Sequence, residues 1–182
     1  MLIIILDLLI VALCGNAADT AANETEYEIT QSKEPDDTPK SFSSKNPSSR
    51  TEAELEKDVL CRVNKHRVSK GLRPLKLDQR ISEACRKHSA DMAFAKAALG
   101  HEGYDERIEA IQIPYQAAAE NVAANQGHAD PAGTAVEGWM KSRRHRNNME
   151  GDYDLTGVGV ARNNRGHYFF TQIFIHTKDT PP

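Results

Sequence analysis

The sequence predicts a three-layer α/β/α sandwich around a small, mainly antiparallel central sheet. Three observations carry that expectation. Residues 155–162 and 167–177 read as two strands joined by Asn163-Asn164-Arg165-Gly166, a turn whose residues tolerate positive φ. On the second strand Phe169, Thr171, Ile173 and Ile175 face one way, while Tyr168, Phe170, Gln172 and Phe174 face the other. Both faces are apolar enough to need covering, and the segments ahead of the hairpin carry apolar residues at helical spacing.

Taken in order, residues 1–13 are apolar except for Asp7, too short a run to span a bilayer, which needs about 20 residues. They fit a secretory signal peptide cut after Ala17, with Gly15 and Ala17 as the small residues before the cut. A lipid anchor on Cys14 and an uncleaved membrane tether are the alternatives. Residues 18–53 form an acidic linker rich in Ser, Thr and Pro, with little apolar surface to offset backbone ordering. Asn23-Glu24-Thr25 is a glycan sequon in form. The folded domain is expected over residues 54–178, and 179–182 are a tail.

Thr51 and Glu54 form a capping box for a first helix, with Leu55, Val59 and Val63 as its stripe and Gly71 as its stop. Asp78 caps a second helix, carrying Ile81, Cys85, His88 and Met92, which runs to Leu99 before Gly100 breaks it. A short helix from Tyr104 ends at Pro114, and an extended segment follows to Asn121. Pro131 opens the next helix, whose apolar face is Ala132, Ala135, Val136, Trp139 and Met140. Lys141, Arg143, Arg144 and Arg146 read as a basic cluster at that helix's C-terminus, favourable to its dipole or able to touch an anionic membrane or wall surface.

Composition narrows the function. The chain is 39% hydrophobic and 27% charged, with a formal net charge of −3, so it lacks the strongly basic face of a nucleic-acid binder. Once Cys14 leaves with the signal, Cys61 and Cys85 remain, and they are expected either to bridge or to lie buried as small apolar residues. His66, His128 and His176 have no evident partners and are placed on the surface.

The chemistry concentrates between residues 100 and 149. Gly100-His101-Glu102-Gly103, Glu120, and the Ser142-x-x-His145-Arg146 turn bring two imidazoles, a carboxylate and a hydroxyl into prospect. Such a set could hold a metal, shape a ligand cleft or move protons.

The order of these features resembles the CAP superfamily: cysteine-rich secretory proteins, antigen 5, pathogenesis-related class 1 proteins and their bacterial secreted relatives. The likeness covers about residues 55–176 and rests on six segments in sequence. They are Val63-Asn64-x-x-Arg67 with Gly71-Leu72-x-Pro74-Leu75; Ala84-x-x-x-His88-Ser89-x-Asp91-Met92-Ala93; Ala119-Glu120-Asn121-Val122-Ala123; Trp139-x-x-Ser142-x-x-His145-Arg146-x-Asn148-Met149; Thr156-Gly157-Val158-Gly159-Val160; and Thr171-Gln172-Ile173-Phe174.

The resemblance implies a three-layer sandwich with a cleft that, in eukaryotic members, is lined by two His and two Glu. His101 and Glu120 match the first of each. Ser142 stands where the second Glu would be and Phe169 where the second His would be. Bacterial-type members carry a His in the Ser-x-x-His-Arg turn, which is His145 here. The implied cleft is therefore His101, Glu120, Ser142, His145 and Arg146, with His101, Glu120 and His145 as ligands for a divalent metal such as zinc.

The leading expectation is a secreted binding module for a metal or a small lipid or polar ligand, with a defence or cell-surface role conceivable. A peptidase or esterase relay of Ser142, His145 and Glu120 is the second reading. A wall-associated structural protein with a vestigial cleft is the third.

Overall fold

The computed structural model describes residues 50–178. The expected signal peptide and linker up to residue 49, with Cys14 and the Asn23 sequon, and residues 179–182 lie outside the described residues. Helix α1 (Glu52–Ser69) begins at the expected capping box: Glu54 N–H donates to Thr51 Oγ1, and Thr51 N–H donates to the Glu54 carboxylate. A two-residue strand β1 (Lys76–Leu77) leads to α2 (Gln79–Ala93), capped by Asp78. Then come α3 (Tyr104–Ile111), β2 (Tyr115–Asn125), α4 (Pro131–Lys141), α5 (Arg143–Glu150) and the hairpin of β3 (Leu155–Arg162) and β4 (Tyr168–Thr177).

The sheet runs β1-β3-β4-β2, with only the β1–β3 pair parallel. Period-two alternation on β4 feeds two separate cores. Phe170 and Phe174 pack with Leu55, Val59, Val63, Ala135 and Trp139 of α1 and α4. Ile173 and Ile175 pack with Ile81 and Cys85 of α2 and Ile108 and Ile111 of α3. Each fully buried side chain of this size contributes about 1.5–3 kcal/mol relative to exposure. The expected α/β/α sandwich is the observed architecture.

Two glycines set how closely α2 lies on the sheet. A Cβ at Gly157 would run into the α2 backbone at Ile81 and Ser82, and one at Gly159 into Cys85 and Arg86. The freed carbonyls accept from α2 in turn: Ser89 Oγ donates to Gly159 O at 2.9 Å. Along the outer edge of β3, Val160 N–H donates to Glu56 of α1, whose carboxylate is also gripped by Arg86 of α2. That clasp joins the two helical layers around an otherwise open strand edge.

Three expectations are corrected. Helix α2 stops at Ala93, short of Leu99, because Phe94 and Leu99 are exposed and no packing supports its continuation; Ala95 takes φ 57°. The Cys61–Cys85 bridge does not form, since Cys85 is a free, buried thiol. It belongs to the α2 core, whereas Cys61 sits on α1 across the sheet. The basic run is divided by a helix break at Ser142: Lys141 ends α4, but Arg143 and Arg144 begin α5, at the end of a helix where positive charge is unfavourable.

Candidate functional site

The site is built where the edge strand β2 meets α3 and α5. Alternation along β2 sends Glu120 to the α2/α3 face and Asn121 to the α5 face. Asn148 of α5 donates to Glu120 O at 3.2 Å and to Asn121 Oδ1 at 2.9 Å, while Asn121 Nδ2 donates to His145 O at 3.1 Å. From α4, Trp139 Nε1 donates to Val122 O. These bonds fix α5, and with it His145, against the strand that carries Glu120.

The Glu120 side chain is only 1% exposed, yet its carboxylate is fully engaged. Arg107 of α3 donates from Nε to Oε2 at 2.9 Å and from a terminal nitrogen to Oε1 at 3.0 Å. His101 Nδ1 lies 2.9 Å from Oε1. A carboxylate clamped by a guanidinium is ionised and only accepts, so His101 Nδ1 carries the hydrogen. In the neutral ring the lone pair is then on Nε2, and the His101 side chain is 40% exposed.

His145 is half-buried, and burial lowers its pKa below 6.5; electrostatic interaction with His101 and Arg144 lowers it further. His145 therefore feels the field of His101, and the environment favours the neutral, lone-pair-bearing form of His145.

Of the residues expected at the site, His101 and Glu120 are in direct contact, while His145 is carried on α5, whose backbone is tied to β2 through Asn121. Ser142 lies at the α4–α5 junction as the first residue before α5, and its hydroxyl makes no capping bond. Among the described residues no hydrogen bond joins Ser142 to His145 or His145 to Glu120, so a Ser142–His145–Glu120 relay has neither of its links. Arg146 pairs with no acid among the described residues; it donates to Met140 O at 3.1 Å and closes the end of α4.

Arg107 has a larger part than a general structural hydrogen-bonder. Its position follows from α3: three residues after Tyr104 on an eight-residue helix, it is reached only once that helix is laid beside β2. His66, expected on the surface, is instead 9% exposed in its side chain and lies 2.8 Å from Glu150, tying α1 to α5. His88 is buried and bonds Gly100 O through Nε2, as suits a core-edge residue. Arg67 is structural, donating to the carbonyls of Arg73, Met149, Gly151 and Tyr153.

Two imidazole nitrogens fit a divalent cation, whereas Glu120, with both oxygens occupied, fits the outer shell that orients a ligand. Among the described residues no cluster of three or more His, Cys, Asp or Glu is gathered to hold one ion.

These features define a class: an α/β/α sandwich with a buried carboxylate, held by a histidine and an arginine, at the outer strand of its sheet. The chain belongs to the cysteine-rich secretory protein (CAP) family, whose model matches residues 60–174. It is 37% identical over 125 residues to the uncharacterized membrane protein YlbC of Bacillus subtilis, a match covering 66% of this chain and 34% of that protein. It is 31% identical over 124 residues to the uncharacterized protein YkwD of the same organism, covering 66% of this chain and 46% of the relative. The chain therefore spans less than half the length of either curated relative.

Among solved structures, it resembles an extracellular SCP-domain protein of Bacillus anthracis, with TM-score 0.59 and 28% identity over 69% of this chain and 41% of that one. An outer surface protein of Borrelia burgdorferi shares the fold at TM-score 0.62 and 16% identity, over 71% of this chain and 97% of that one. No helix among the described residues is long and apolar enough to cross a membrane.

Proposed function

We propose that this chain is an extracellular or cell-surface CAP binding module in which His101 Nε2 and His145 together hold a divalent cation, zinc above all. One observation supports the reading most: a buried carboxylate, itself clamped by Arg107, fixes His101 through Nδ1 and leaves the opposite nitrogen free. Carboxylate-oriented imidazoles are the recurring outer-shell arrangement of zinc sites. Two protein nitrogens leave further positions for water or for an oxygen of a ligand, so the bound cation would supply a Lewis-acidic attachment point. The extracellular setting is supported by the Bacillus anthracis relative, which is described as extracellular.

Calorimetric titration of the purified chain with zinc chloride tests this. Wild type is expected to bind one zinc, His101→Ala and His145→Ala each to lose at least about tenfold in affinity, and Glu120→Gln to lose about 10–100-fold. Undiminished zinc affinity in His145→Ala would show that the two imidazoles do not act as a pair.

A further inference from the structure

Beside the Arg107–Glu120 clamp, between α2 and α3, runs a groove of about 660 Å³. That volume is within the range of small-ligand sites. It borders the site through Arg107 but is lined by neither His101, Glu120 nor His145. Ala84, Ala110 and Ile111 supply its apolar floor.

Its charges do not cancel. Every cation that lines the groove already has a carboxylate: Arg80 has Asp78, Lys87 has Asp91, and Arg107 has Glu120. Glu83, Glu102 and Glu106 line the same space and form no ion pair among the described residues.

A separate observation comes from His88. This residue is 3% exposed and lines the groove. Its Nε2 lies 2.9 Å from Gly100 O. A carbonyl only accepts, so Nε2 donates, and in the neutral ring Nδ1 is an acceptor. No hydrogen bond to Nδ1 exists among the described residues. Burial keeps the ring on the neutral side by lowering its pKa. The groove thus offers acceptors and negative charge over an apolar floor, and its own cations are committed elsewhere.

We propose that this groove recognises an alkylammonium group on an apolar stem, as presented by a lysine of an extended basic peptide. The stem lies along the alanine and isoleucine floor, as lysine stems do on apolar surface. The ammonium donates to His88 Nδ1 and to the Glu83 and Glu106 carboxylates.

The test titrates the full chain with acetyl-Leu-Lys-Leu-Lys-Leu-amide, followed by amide chemical shifts. The same peptide is made with norleucine for lysine, which keeps the stem and drops the charge, and with glutamate for lysine. Saturable shifts confined to the groove, residues 80–112, are expected. The lysine peptide should bind at least about tenfold tighter than the norleucine peptide, and the glutamate peptide should not saturate.

Glu83→Gln/Glu106→Gln should weaken the lysine peptide about fivefold, the scale of two partly exposed charge contacts. Ala110→Trp, at an exposed position, should block the groove while thermal unfolding stays unchanged. His101→Ala should leave peptide affinity intact while weakening zinc, which separates this site from the cation site. Equal affinity for the lysine and norleucine peptides, unchanged affinity in the double variant, shifts centred outside residues 80–112, or no saturable binding would each overturn the proposal.

Discussion

Arg107→Met is expected to destabilise the domain by about 3–5 kcal/mol, the cost of stranding one member of a buried ion pair. The Glu120 side chain is 1% exposed and that of Arg107 12%, so water reaches neither freely. Three contacts hold the carboxylate, two from Arg107 and one from His101. Without the guanidinium, a buried negative charge keeps a single partner.

Urea unfolding followed by the fluorescence of Trp139, the one tryptophan and 1% exposed, reports the loss directly. Arg107→Met/Glu120→Gln removes the stranded charge as well, so it should be more stable than Arg107→Met alone. A single-variant cost under about 1 kcal/mol, or a double variant destabilised by the sum of the two singles, would refute the buried-clamp reasoning.

Other consequences follow from the packing and the titrating groups. Gly159→Ala should cost more than about 2 kcal/mol by denaturant unfolding, because its Cβ meets the α2 backbone at Cys85 and Arg86 rather than a movable side chain. Cys85 is fully buried and desolvation pushes its thiol far above the ordinary range, so it should resist iodoacetamide in the native state and react on unfolding.

Burial lowers the pKa of His88 and His145 below 6.5, with His101 and Arg144 adding to the effect at His145. The unfolded chain therefore binds more protons just below 6.5, and stability rises with pH across that window. The thermal midpoint should fall as pH drops from about 7 toward 5, and His145→Asn should flatten part of that slope.

Much of the fold was legible because its signals are local. The Thr51–Glu54 box, the Asp78 cap, Pro131 at the start of α4 and the two-faced apolar pattern of β4 each need only neighbours in sequence to be read. The length of α2 did not show, because Ala-rich residues 94–99 keep helical propensity while lacking anything to pack against. The break at Ser142 was equally hidden: nothing in Lys-Ser-Arg-Arg announces that one helix ends and another begins.

At the site, the motifs pointed to His101 and Glu120, which do meet, but what holds Glu120 depends on contacts far apart in the chain. Arg107 occupies Glu120, so the acid expected as a metal ligand is a partner of His101 and Arg107 instead. The alternating glycines of β3 were visible as a motif, yet only the position of α2 explains them. Cys61 and Cys85 looked equivalent until the sheet separated them.

A zinc-edge anomalous diffraction map of crystals grown with zinc would test the central claim most directly. The account predicts one peak bound by His101 Nε2 and a ring nitrogen of His145, with Glu120 still bonded to His101 Nδ1 and Arg107 rather than to the metal. A peak ligated by Glu120, a peak remote from both imidazoles, or no peak at saturating zinc would contradict it.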